Sequence, residues 1–130
     1  MSGERIPDDE IVYRRIPPTM PFFESPDRVT TQNFKLDQRQ QELGLSVYRA
    51  AVVTAAIVLA KGNAVPGSRI VQARVGEIRV LAGGDGKPLH LDVIVVADEH
   101  DPGHAEIRGP EQGKLTPSAS KALQRLFTLL

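Results

Sequence analysis

The densest run of chemistry-bearing side chains is Asp98-Glu99-His100-Asp101-Pro102-Gly103-His104-Ala105-Glu106. His100 and His104, at i and i+4 with carboxylates between them, have the composition of a metal site. That spacing gathers two ligands on one face only within a helix, and Pro102-Gly103 breaks a helix there. No further ligands complete a zinc motif, so no metal is expected. His104 is the better candidate for acid–base chemistry. It follows a tight turn and begins a strand, and Glu106, two residues on, shares its strand face. An imidazole changes charge near neutral pH, which suits a general acid or base. His104 and Glu106 are therefore the candidate catalytic pair. The competing reading is a histidine that hydrogen-bonds a neighbouring group for structural reasons.

Other constellations fall short of a complete motif. His104-Ala105-Glu106 has the H-x-E form of zinc deaminases, but their Pro-Cys-x-x-Cys cannot exist in a chain without cysteine. Gly83-Gly84-Asp85-Gly86 lacks the Gly-Lys-Ser/Thr ending of a P-loop and precedes a strand rather than a helix, so it reads as a hairpin turn. No G-x-S-x-G is present. Eleven arginines remain to be placed. Arg14, Arg15, Arg28 and Arg49 lie near the ends of three expected strands, and the guanidinium fork suits phosphate or carboxylate. Arg14, Arg28, Thr30, Tyr48 and Arg49 are accordingly the candidate ligand-binding residues, set against ordinary ion pairing with the acids.

The elements that must position these groups follow from periodicity. Ile11 to Ile16 reads as a strand stopped by Pro17-Pro18. Residues 17 to 27 form a proline-rich loop carrying Met20, Phe22 and Phe23, which either cap the core or present a partner-binding arm. The run from Arg28 is β-prone at its start, and residues 37 to 42 suggest a loop or one helical turn. Leu45 to Ala50 alternates, with Ser46, Tyr48 and Ala50 on one face and Leu45, Val47 and Arg49 on the other. Thr54 caps a short helix over residues 55 to 61. Ile70 to Val75 alternates, and Glu77 to Leu81 fits either a strand or a helical turn. Leu89 to Ala97 reads as a strand whose apolar end, Val93 to Ala97, suggests a central position. Ala105 to Arg108 is a short strand. Thr116 and Pro117 open a final helix over residues 118 to 129, its apolar face formed by Ala119, Leu123, Leu126, Phe127 and Leu130. The expected fold is α+β: one small mixed or antiparallel sheet of about five strands, with a short internal helix and a C-terminal helix. Residues 1–10 are expected as a tail and 11–130 as a single domain. His104 is expected beside the strand of residues 12 to 16 or that of residues 45 to 50, within reach of Tyr48 or an arginine.

Composition narrows the classes of function. The 130 residues and 14.2 kDa suit one domain. With 41% hydrophobic and 25% charged residues, wholesale disorder is excluded. Sixteen cations balance sixteen acids, which disfavours sequence-independent nucleic-acid binding while leaving a local arginine patch open. The absence of cysteine excludes disulfides, thiolate metal sites and a cysteine nucleophile, and fits a cytoplasmic location. The first ten residues lack the apolar run of a signal peptide, and the longest uncharged apolar run, Ala50 to Ala60, is short against the ~20 residues of a membrane helix. No membrane association and no cofactor are expected.

Four short motifs, in order, carry a resemblance. They are Val12-Tyr13-Arg14-Arg15-Ile16, Arg28-Val29-Thr30-Thr31-Gln32-Asn33-Phe34, Leu45-Ser46-Val47-Tyr48, and Gly103-His104-Ala105-Glu106-Ile107 followed by Gly109. Together they resemble a group of small uncharacterised bacterial proteins with Y-R-x-I-x-P, R-x-[ST]-[ST]-x-x-F, L-S-V and A-H-A-x-I-x-G motifs and a basic final helix. Gly103 stands where that group often has alanine. The resemblance implies a shared fold and a shared site rather than a reaction. A weaker similarity, to ADP-ribosyltransferase-like domains, would lay Arg14, Thr30 and Glu106 on one scheme, without the usual Q/E-x-E pair.

Two functional expectations follow. The first is an accessory or regulatory domain that binds another macromolecule, chiefly a protein, motivated by the incomplete catalytic constellations and the apolar loop. The second is an enzyme or ligand-binding domain for a phosphorylated small molecule or nucleic acid, with Arg14, Arg28 and Arg49 on phosphate and His104 with Glu106 handling protons.

Overall fold

The computed structural model describes residues 5–18, 22–25, 28–35, 44–61, 66–97, 99–110 and 114–130. Strands β1 (Ile11–Ile16), β4 (Leu45–Arg49), β5 (Arg69–Arg74), β6 (Asp92–Val95), β7 (His104–Arg108) and β8 (Thr128–Leu129) form one antiparallel sheet in the order β6-β7-β4-β1-β5-β8. Strands β2 (Phe23–Ser25) and β3 (Arg28–Val29) form a separate two-stranded ribbon, followed by a 3-10 turn at Thr31–Phe34. Among the described residues three helices complete the fold: α1 (Ala55–Leu59), α2 (Val75–Arg79) and α3 (Pro117–Leu126).

Strand parity decides which side chains are buried. Val12, Ile16, Leu45, Val47, Val71, Ala73, Val93, Ala105 and Ile107 point to one face and form the main core with α2, α3 and the ribbon. Ile78, Ala119 and Leu123 bring the two helices onto that face, and Phe127 meets Phe34 with ring centroids 5.2 Å apart. Burying each large aliphatic side chain contributes about 1.5–3 kcal/mol, so this layer dominates the stability. The second face has a smaller cluster, Val53, Val58 and Ile70, through which α1 covers β1 and β5, with Tyr13 and Tyr48 packed at its margin.

Local signals place the helix starts. The Thr54 hydroxyl accepts the Ile57 amide at 3.2 Å and the Thr116 hydroxyl accepts the Ala119 amide at 3.1 Å, with Pro117 inside the first turn of α3. Glu77 to Leu81 resolves as helix: α2 begins at Val75, directly after β5, and Val75 and Ile78 reach the core at a spacing of three.

Several expectations are corrected. The segment expected as a tail belongs to the fold from Arg5 onward: Ile6 is fully buried, and Arg5 bridges Ile94. The apolar run Val93 to Ala97 is not central. Among the described residues β6 is the outermost strand of the sheet, with Ile94, Val95 and Val96 half-buried and Ala97 exposed. The strand expected from Leu89 begins only at Asp92, because His90 adopts φ 54°, outside the extended region. Helix α3 stops at Leu126, so Phe127 is buried as its C-cap, Thr128–Leu129 become a strand, and Leu130 is 58% exposed. The Gly83–Gly86 turn closes a single bridge, Ala82 to Pro88, between α2 and β6, with Gly86 at φ 81°. Residues 37 to 42 lie outside the described residues.

Candidate functional site

The pairing of β4 with β7 sets Tyr48 directly opposite His104 and Ser46 opposite Glu106, and β1 sets Tyr13 opposite Tyr48. Opposed residues share a face. A row of three rings, Tyr13, Tyr48 and His104, therefore crosses three adjacent strands on the face away from the main core. The Tyr48 and His104 centroids lie 5.6 Å apart at an interplanar angle of 34°. The next row holds Ser46, Glu106 and Ile94, and Arg108 stands opposite Asp92 beyond it. Ser46, Tyr48, His104, Glu106 and Arg108 are all half-buried.

Internal bonds hold this face in place. His104 Nε2 lies 3.1 Å from Ser46 Oγ, with the proton on either atom according to the ring tautomer. Arg108 donates to one oxygen of Glu106 from Nε at 2.9 Å and from a terminal nitrogen at 2.7 Å. Lys61 pairs with Asp101 at 2.6 Å and sets its ammonium 5.1 Å from the Tyr48 ring centroid, a cation–π arrangement. Burial pushes the Tyr48 phenol pKa up, Asp101 pushes it further, and Lys61, Arg15 and Arg14 act the other way. Gly103 makes room for the bend before β7: a Cβ there would lie 2.9 Å from a methyl of Val53. Its carbonyl accepts the Arg49 amide at 2.9 Å, which locks the turn to the end of β4.

Of the candidate residues, His104, Glu106 and Tyr48 share this face. The arginines do not join them. Arg14 is on the main-core face of β1, donating to the Asn33 carbonyl at 2.7 Å and the Ser46 carbonyl at 2.6 Å. Arg49 is 9% exposed and makes a two-pronged pair with Glu10 at 2.7 and 2.8 Å. Arg28 is exposed in the ribbon, and Thr30 precedes the 3-10 turn, its carbonyl accepting from the Asn33 side chain at 3.1 Å. Arg14 and Glu106 thus occupy opposite faces of the sheet, so the scheme uniting Arg14, Thr30 and Glu106 has no common cleft. Of the aromatic loop, Met20 lies outside the described residues. Phe23 is 8% exposed in the core and Phe22 packs against it, so these two cap the core and do not form a free arm.

Sequence reasoning put Ser46 on the Tyr48 face without naming it as a site residue, and it did not place Lys61 there at all. Ser46 was recoverable, since its strand parity equals that of Tyr48. Lys61 was not, because its place depends on how α1 folds back.

Among the described residues, no three His, Asp or Glu side chains cluster as a metal site, and no helix is long and apolar enough to cross a membrane. No family model, curated protein or solved structure matches the chain.

Proposed function

We propose that this chain is an accessory or regulatory binding domain that engages a protein partner through the half-open face built by Ser46, Tyr48, His104 and Glu106. The observation that carries the reading is the Tyr13–Tyr48–His104 row. Rings with few rotatable bonds stand in register across the sheet, and their polar neighbours are already bonded to one another. Such a face loses little conformational entropy on binding, and tyrosine and arginine are the side chains that most often anchor protein interfaces. The internal pairs Glu106–Arg108 and Lys61–Asp101 balance its charge, which suits a mixed protein surface better than a polyanion. A cytoplasmic setting accords with the cysteine-free composition. The test is affinity capture from a host lysate with tagged wild type, Tyr48→Ala and His104→Ala, together with mass determination in solution. A partner retained by wild type and lost by both variants, at preserved folding, supports the reading. A strictly monomeric protein that captures nothing and turns over a nucleotide refutes it.

A second reading is favoured by one observation, the 3.1 Å approach of His104 Nε2 to Ser46 Oγ. That distance is a nucleophile–base geometry, in which the imidazole would take the hydroxyl proton as Ser46 attacks an ester or phosphoester and would return it to the alkoxide that leaves as the ester bond breaks. On this reading the chain is an enzyme or ligand-binding domain for a phosphorylated small molecule or nucleic acid. Thermal-shift screening with nucleotides, NAD and divalent metals separates the two readings, since a ligand of the native state raises the melting temperature by mass action.

A further inference from the structure

A second surface lies along the outer side of α3. From Lys114 to Leu130 the chain holds three cations and no Asp or Glu. Lys121 and Arg125 stand one turn apart on α3 and both are exposed. Neither makes an ion pair among the described residues. This sets them apart from Arg14, Arg15, Arg49, Arg79 and Arg108, each engaged by an internal carbonyl or carboxylate. Beside them runs a groove of about 570 Å³ between α3, the ribbon and β8. Arg28, Lys121 and Arg125 give it positive charge, Val29, Phe127 and Leu129 give it an apolar lining, and among the described residues no acidic one lines it.

Strand β8 is the last strand of the sheet. The Leu130 amide donates to the Ile70 carbonyl at 2.9 Å, and Leu129 sits opposite Val71. By the alternation of an antiparallel ladder, the N–H and C=O of Leu129 point away from β5, towards the free edge. An open edge beside an apolar lining and the exposed cations Lys121 and Arg125 has the features that recognise an extended peptide: backbone hydrogen bonds, a seat for alternate side chains, and charge for the rest.

We propose that this groove binds an extended acidic segment of a partner protein, which adds to the β8 edge, seats an apolar side chain over the half-buried Leu129, and places carboxylates on Lys121 and Arg125. A nucleic acid fits less well. Among the described residues the one aromatic side chain lining the groove, Phe127, is 5% exposed and tilted onto Phe34, so it offers bases no open ring to stack on, and the chain as a whole is neutral.

The test uses fluorescence anisotropy at low salt with a labelled peptide alternating glutamate and valine, a matched lysine–valine peptide, and labelled oligo-dT. The glutamate–valine peptide binds, the lysine–valine peptide does not, and added salt weakens the complex. Lys121→Glu with Arg125→Glu weakens binding about tenfold or more, the scale of two exposed charge pairs turned from attraction to repulsion. Lys121→Gln with Arg125→Gln, which keeps good helix formers, weakens it less, and both pairs of substitutions leave the melting temperature near wild type. In amide NMR the Thr128 and Leu129 resonances move on binding while those of Tyr48 and His104 stay. Oligo-dT binding as tightly as the acidic peptide, failure of that peptide to bind, or indifference to charge reversal each overturns the proposal. Because the readout is confined to β8 and α3, its failure leaves the Tyr48–His104 reading untouched, and the reverse also holds.

Discussion

Arg49 tests whether a guanidinium that sequence offers to a ligand is instead part of the scaffold. Its side chain is 10% exposed and that of Glu10 is 8%, and the pair is joined by two short hydrogen bonds of 2.7 and 2.8 Å. It ties the segment before β1 to the end of β4, where the Ala50 amide also donates to the Ile11 carbonyl at 2.9 Å. Removing one partner of such a pair leaves a buried charge without its counter-charge, which costs about 3–5 kcal/mol. Arg49→Met and Glu10→Leu should each lose that much in urea or thermal unfolding. For a domain of this length the loss corresponds to a fall in melting temperature of roughly 10–20 °C. The double variant should recover most of the loss, because two apolar side chains of similar volume need no counter-charge. The coupling from the double-mutant cycle should then exceed about 2 kcal/mol, well above the ~0.5 kcal/mol scatter of independent sites. Additive single losses, or an Arg49→Met cost below about 1 kcal/mol, would falsify the scaffold reading and make Arg49 a candidate ligand contact again.

Three further perturbations have defined outcomes. The raised Tyr48 pKa means that the folded state keeps the phenolic proton longer than the unfolded chain, so the stability this group contributes is complete below ~10 and declines as pH rises through the window above it; Tyr48→Phe should flatten that alkaline decline in melting temperature, and an unchanged slope counts against burial of the ring. Asp8 has its pKa held down by the Arg79 hydrogen bond at 2.6 Å, so its contribution is present above ~4 and is lost as pH falls through the lower folded value; Asp8→Asn should make acid unfolding shallower, read by circular dichroism against pH. Gly103→Ala should destabilise by about 1–3 kcal/mol through overpacking against Val53, and Val53→Ala in the same chain should relieve much of that loss; a neutral Gly103→Ala would mean that the turn moves aside freely.

The fold was legible where one periodicity sufficed. The alternation in Leu45 to Arg49 assigned its two faces correctly, because side chains along a strand reverse at every residue whatever the tertiary context. The Thr54 and Thr116 caps were legible for the same local reason, since each hydroxyl serves an amide three residues on. Legibility failed where the deciding partner is far away in sequence. Val93 to Ala97 looks buried on both sides in sequence, yet strand order alone decides whether β6 is central or an edge, and among the described residues one bridge from Arg5 is all that pairs with its outer side. The apparent helical run through Phe127 to Leu130 is cut because Phe127 must turn inward to meet Phe34, a contact 93 positions away in the chain.

The candidate site divides along the same line. His104, Glu106, Ser46 and Tyr48 are united by two things that sequence nearly supplies, the parity of each strand and the register between them. Register was the unknown, and the turn that ends at Gly103 sets it, its carbonyl accepting the Arg49 amide. Arginines resist the same reasoning. A guanidinium on a long stem reaches in any direction from its Cα, so its partner is set by whichever carbonyl or carboxylate the fold leaves unsatisfied. Arg14 and Arg15 are adjacent in β1 and leave it by opposite faces, one to the carbonyls of Asn33 and Ser46, the other to those of Val58 and Lys61. Each holds an irregular segment, the 3-10 turn on one side and the end of α1 on the other, against the middle of the sheet. The Y-R-R run of β1 therefore contributes one ring to the open face and two clamps to the scaffold beneath and beside it. A substitution at Arg15 should accordingly loosen α1 and, through Lys61, the Tyr48 side of the binding face without touching His104. Amide hydrogen exchange on Arg15→Met would show it as faster exchange at Ala60 and Lys61 with His104 unchanged, and uniform protection across α1 would remove Arg15 from that role.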